Sequence, residues 1–233
     1  MSEGDPGPIE AGGGGSFWTS FPAILTASAV FIGALVSAVV ALRGDDSSAG
    51  GGTTTTTAAG SEYFLPVTRP SGRVYFEGET MFVKASLPAR PMLVLAENDE
   101  QLEDVGMSAR AEWVSGAKDY GVGFVCRYAD AGNYYLLSVL SDGRYHIVRY
   151  RKGKPVSLTG GIQTSGAIED DANDISVRCV GNEPVILALE VNNRDVARVR
   201  DENGIEAGNV GIRVGTSESV VTHSFRDFEL RAL

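Results

Sequence analysis

Histidine is nearly absent from this chain: His146 and His223 are the only two in 233 residues. They are far apart in sequence and have no third ligand beside them. Neither is therefore read as a metal ligand or a catalytic base. Cysteine is as scarce, with Cys126 and Cys179 alone, and they form no CxxC pair. There is no P-loop, no GxSxG and no HExxH, so the common signatures of phosphate binding, serine hydrolysis and zinc proteolysis are missing. Basic charge is short too: 20 Lys and Arg face 30 Asp and Glu, a net of −10. With Glu3, Asp5, Glu10 and Arg43 set aside, residues 44–233 carry 19 basic and 27 acidic side chains, net −8. Such a domain repels phosphate backbones, which argues against nucleic acid as a partner.

What the chain does have is one long uncharged run. Residues 17–42, "FWTSFPAILTASAVFIGALVSAVVAL", contain no charge over 26 positions. About 20 apolar residues of helix suffice to cross a bilayer. Phe17, Trp18 and Phe21 sit where an interfacial aromatic belt belongs, and Arg43 ends the run. A cleaved signal would have a basic start and a shorter apolar stretch, so the expectation is one uncleaved transmembrane helix over 17–43 behind a polar tail, 1–16. Orientation is contested. Arg43 alone votes for a cytoplasmic C-terminal side. The following tether, 44–61, "GDDSSAGGGTTTTTAAGS", is small and polar, resembles a Ser/Thr-rich stalk, and points outward.

From 62 to 233 no amphipathic helical pattern is sustained. Period-two alternation recurs instead, bounded by Gly, Asn and Asp. Segments such as "MFVKASL", "YGVGFVCRYA", "NYYLLSVL", "RYHIVRYR", "DISVRCV" and "PVILALEVN" read as strands, about a dozen in all. "SDGR" at 141–144 is an Asp-Gly hairpin signal. The expected fold is all-β, an antiparallel two-sheet β-sandwich behind the helix and linker.

Strand alternation places Cys126 with Val122, Phe124 and Tyr128, and Arg127 on the opposite face with Val125. Cys179 shares its face with Ile175 and Val177. Two core-facing cysteines invite a disulfide; two separate buried thiols are the alternative. Tyr134 and Tyr135, as strand neighbours, point apart, and only one of them can share Arg127's face.

The segments "YGVGFVCRYADAGNYYLLSVLSDGRYHIVRYRKGKPVSL", "NDISVRCVGNEPVILALEVNNRDVARVRD", "GNVGIRVG" and "VTHSFRDFEL", in that order, resemble concanavalin A-like lectin/glucanase domains of the laminin G-like type. More narrowly they resemble bacterial extracytoplasmic domains of the 3-keto-disaccharide hydrolase-like group. The resemblance covers 110–233 and departs from the group's pattern at Arg226 and Asp227. It implies a jelly-roll-like sandwich outside the cytoplasm and a Cys126–Cys179 bridge. A glycan-related function follows from it by analogy alone.

Glycoside hydrolysis needs two opposed carboxylates. No strand here carries the Glu-x-Asp-x-x-Glu of glucanases of this fold. Acids cluster at 97–104 and 168–174, which read as solvated loops. Asp170, Asp171 and Asp174, with Asn173, are the one candidate calcium set, without EF-hand spacing. No other cofactor is indicated. Binding is better supported: Arg127, Tyr134, Tyr145, Arg149 and Trp113 alternate with apolar residues, as a sugar-binding face would. The expectation is a non-catalytic module for carbohydrate or another surface ligand. An enzyme acting on (3-keto-)disaccharides and a protein-binding or sensor ectodomain are the alternatives.

Overall fold

The computed structural model of the chain describes residues 63–97 and 101–233. The polar tail 1–16, the apolar run 17–43, the tether 44–61 and positions 98–100 lie outside the described residues. Among the described residues no helix is long and apolar enough to cross a membrane.

Among the described residues fifteen strands follow one another: β1 (Val67–Arg69), β2 (Gly72–Glu77), β3 (Thr80–Ala85), β4 (Met92–Leu95), β5 (Val105–Gly116), β6 (Tyr120–Asp130), β7 (Asn133–Leu140), β8 (Arg144–Arg151), β9 (Lys154–Ser157), β10 (Gln163–Thr164), β11 (Ala172–Val180), β12 (Val185–Val191), β13 (Arg194–Asp201), β14 (Asn209–Thr216) and β15 (Val221–Ala232). They build two antiparallel sheets. The order is β1-β2-β3-β15-β5-β11-β12-β13 in one sheet and β10-β8-β7-β6-β14-β4 in the other, with β9 added on β8. The three elements missed by pattern are β1, β9 and β10. Each is two to four residues long and mostly exposed, too short for alternation to register.

Alternation explains the core. Met81, Val83 and Ala85 on β3, Ile175, Val177 and Cys179 on β11, and Phe124 and Leu137 from the facing sheet are all buried between the sheets. Cys126 on β6 and Cys179 on β11 form the expected disulfide, joining the sheets across a Cα–Cα distance of 6.7 Å. The seven-stranded sheet also buries apolar side chains on its other face. Val125, Leu136 and Val148 stand in one cross-strand row there, packed with Tyr134, Tyr150 and Tyr128.

The strand reading fails at one residue. Val125 pairs with Gly211 and Tyr128 with Asn209, so three steps along β6 match two along β14. The extra residue is Arg127, in the left-handed region at φ 51°. Gly208 lies against this bulge, where a Cβ would meet the Arg127 carbonyl carbon at 2.4 Å. The bulge exchanges the faces: Tyr128 moves to the outer face with Val125, and Arg127 turns inward.

His223, on β15, is wholly enclosed, its ring 4.3 Å from that of Tyr120. Burial pushes its pKa down to about 3. The unfolded chain takes up a proton at this residue below about pH 6.5, while the folded chain resists until about pH 3. Its contribution to stability is therefore complete above pH 6.5 and is lost as pH falls through the window below. His223→Leu is expected to flatten the acid side of the stability–pH curve by up to about one proton, or about 1.4 kcal/mol per pH unit. Urea unfolding at a series of pH values from 7 to 4 checks it; parallel curves for the two proteins would refute it.

Candidate functional site

The five residues expected to form a binding face do not come together. Arg127 is completely buried. Its guanidinium donates to the carbonyls of Glu103 (Nε, 2.9 Å), Ile205 (Nη1, 2.7 Å) and Gly181 (Nη2, 2.6 Å), and lies 3.5 Å from the Asp104 carboxylate. Burial lowers its pKa, against the pull of Asp104 and Glu103. Arg149 also faces inward, in register with Tyr135 and Cys126. It pairs with the buried Asp201, which accepts a 2.7 Å hydrogen bond from the Tyr135 hydroxyl; that hydroxyl in turn accepts from the Ile205 amide at 3.0 Å. Burial raises the Asp201 pKa, but the bonds from Tyr135 and Arg149 outweigh it and the net shift is down. Tyr145 packs half-buried on the main core. Trp113 belongs to the other sheet, where Lys118 Nζ sits 3.6 Å above its ring and its indole N–H donates to the Ala117 carbonyl. Arg127, Arg149 and Tyr135 thus hold the sandwich together at one end.

Tyr134 alone of the five is in a groove. Its ring stacks on that of Tyr150, directly opposite on β8, with centroids 4.5 Å apart and planes at 15°. Tyr128 stands beside it at 5.7 Å. Arg213, on the same face of β14, is nearly buried, with its guanidinium 5.7 Å from the Tyr150 ring and Nη1 3.3 Å from the Tyr150 hydroxyl. Burial pushes the Tyr134 pKa up to about 12 despite Arg213. Tyr134, Tyr150 and Arg213 floor a groove of about 560 Å³. Arg69, Arg90, Leu87 and the two hairpin tips at Gly132 and Gly153 wall it. The tips are tied by the Gly153 amide donating to the Gly132 carbonyl at 3.0 Å. Among the described residues no Asp or Glu lines the groove. The two rings stack on each other, which covers one face of each.

The calcium candidates diverge. Asp174 pairs with Arg110 at 3.1 Å, Asp171 pairs with Lys118, and Asp170 uses its backbone carbonyl to accept from Tyr120. Among the described residues no three His, Cys, Asp or Glu side chains are grouped to hold a metal. Asn173 is buried and occupied by the Glu169 backbone and Asn192.

Solved structures with this architecture are known. The carbohydrate-binding module CBM66 from Bacillus subtilis superposes with a TM-score of 0.57 at 12% identity, covering 77% of this chain and 99% of that one. A sialidase gives 0.52 at 9% identity, over 76% of this chain and 18% of its own length. A native glycosidic hydrolase gives 0.50 at 11%, over 76% and 88%. No family model and no curated protein matches the sequence. The shared feature is the antiparallel two-sheet β-sandwich. At these identities the likeness extends to the fold and no further.

Proposed function

We propose that this protein is a membrane-anchored, extracytoplasmic, non-catalytic module that binds carbohydrate in the groove floored by Tyr134, Tyr150 and Arg213. The observation that carries the reading is the groove itself: tyrosine hydroxyls and guanidinium groups over about 560 Å³, with no carboxylate among the described lining residues. Concave sites with a few convergent polar groups are the usual form of a ligand site. That a module of this architecture is named for carbohydrate binding supports the same choice. The Cys126–Cys179 bridge supports the extracytoplasmic part, because disulfides persist in oxidising compartments. The anchor would be 17–43, with 44–61 as the tether.

The non-catalytic part is supported by where the acids lie. On the eight-stranded sheet Asp174, Glu190, Asp227 and Glu229 border a second depression. Asp174 is held by Arg110 and Glu229 by Arg231. Glu190 and Glu229 are at the two ends of a row crossing β12, β11, β5 and β15. Three strand spacings separate their backbones by roughly 14 Å, and Asp174, the acid on the strand next to Glu190, is paired with Arg110.

The test is a glycan array with the full chain in a detergent that has no sugar headgroup, with and without calcium. Binding to a defined set of saccharides is expected, lost by at least tenfold in Arg213→Met. Failure to bind any saccharide in either condition sinks the reading and favours a protein partner.

A further inference from the structure

We infer that the groove selects saccharides bearing carboxylate groups, such as uronate-containing chains. The inference rests on reading this groove as a saccharide site and adds the charge of the ligand. Three guanidinium groups reach it from separate segments: Arg69 at the end of β1, Arg90 in the turn before β4, and Arg213 within β14. Their convergence is local and runs against the chain as a whole, which has ten more acidic than basic side chains. The nearest acid in sequence to the lining residues, Asp130, is turned into its own hairpin. It accepts from the Gly132 amide at 2.7 Å and the Asn133 side chain at 2.8 and 2.9 Å.

The arginines are also positioned. Ala89, on the rim, is in the left-handed region at φ 56°, a conformation that costs a non-glycine residue free energy. Its amide is tied to the Thr216 carbonyl at 2.9 Å, and the Arg90 amide closes the turn on the Leu87 carbonyl at 3.3 Å. This fixes the backbone that presents Arg90. Arg69 Nη1 donates to the Leu93 carbonyl at 3.4 Å, and Arg213 is packed beside Tyr150. Planar guanidinium groups match carboxylates with paired N–H donors. The tyrosine hydroxyls suit the ring hydroxyls of the same residue. The groove thus offers charge recognition and neutral hydrogen bonding side by side, the two needs of an acidic sugar.

The test is calorimetric titration of the full chain, in detergent without sugar headgroups, with oligosaccharides of galacturonate, alginate and hyaluronan. Each is run against its methyl-esterified counterpart. At least one acidic oligosaccharide is expected to bind ten times tighter than its ester or better, and to weaken as salt is raised. R69Q and R90Q, both at exposed positions, are expected to lower that affinity several-fold each with unchanged melting temperature, and to weaken the ester by a smaller factor. Equal affinity for acid and ester overturns the inference while leaving the saccharide reading intact. Binding on the array confined to neutral sugars does the same. Binding of no saccharide at all removes both.

Discussion

Arg127→Met is expected to destabilise the domain by on the order of 4 kcal/mol, measured as a fall in the urea midpoint at constant slope. The side chain is fully buried, and it satisfies three backbone carbonyls from three places in the chain: Glu103, Gly181 and Ile205. Methionine fills most of the volume and donates to none of them. Each orphaned carbonyl then costs about 1–3 kcal/mol of unrecovered desolvation. Asp104, 3.5 Å away, loses its cation but is half-exposed and adds little. Arg127→Lys separates charge from geometry. A lysine keeps the cation but cannot aim donors along three fixed directions, so roughly half the loss is expected. A loss below about 1 kcal/mol for the methionine variant would show that water replaces the guanidinium and that the three carbonyls are not sealed. Because none of these polar partners of Arg127 lines the groove, ligand affinity per folded molecule should not change.

This residue also shows how far the sequence is legible. Arg127 follows Cys126 in an alternating strand, and alternation puts it outside. What turns it inward is a single extra residue opposite β14, a segment more than 80 positions later in the chain. No local pattern contains that information. Composition and period did contain the sandwich and the core face of most strands, both cysteines included, since these depend on residues a few positions apart; the bridge itself joins positions 53 apart, and it was the family resemblance that implied it. The groove is intermediate. Tyr134 and Tyr135 do point apart. Which of them meets Tyr150 turns on one position in a loop. A two-residue Asp-Gly turn would pair Ser141 with Arg144, and hence Tyr135 with Tyr150. The actual loop is Ser141–Gly143, with Gly143 in the left-handed region at φ 78°. This three-residue form shifts the register by one and stacks Tyr150 on Tyr134. Arg213, Arg69 and Arg90 join them through pairings and turns distant in sequence, so their charge was visible and their convergence was not.

Removing the disulfide with Cys126→Ala and Cys179→Ala together is expected to cost the domain about 4 kcal/mol, from the chain entropy restored to the unfolded state. The closed loop spans 53 positions and holds β7 through most of β11, so the effect falls mainly on the unfolded ensemble rather than on any native contact. Two small cavities in a closed core add to it. Set against a total stability of about 5–15 kcal/mol for an ordinary domain, that is a large share. Both cysteines are inaccessible in the folded protein. A reducing agent should therefore act only when the sandwich opens, at a rate that tracks global unfolding and rises with added urea. Alkylation of the denatured, unreduced chain should label no thiol. If reduction proved as fast in the native state as in urea, the bridge would lie in a locally opening region and its loss would cost far less. The same dependence bears on where the protein works. In a compartment that keeps thiols reduced, newly made chains would fold without the bridge and meet the full penalty. Expression of the domain with and without export, followed by its urea midpoint, should separate the two populations by that same 4 kcal/mol or so. Identical midpoints would remove the bridge as support for an extracytoplasmic setting.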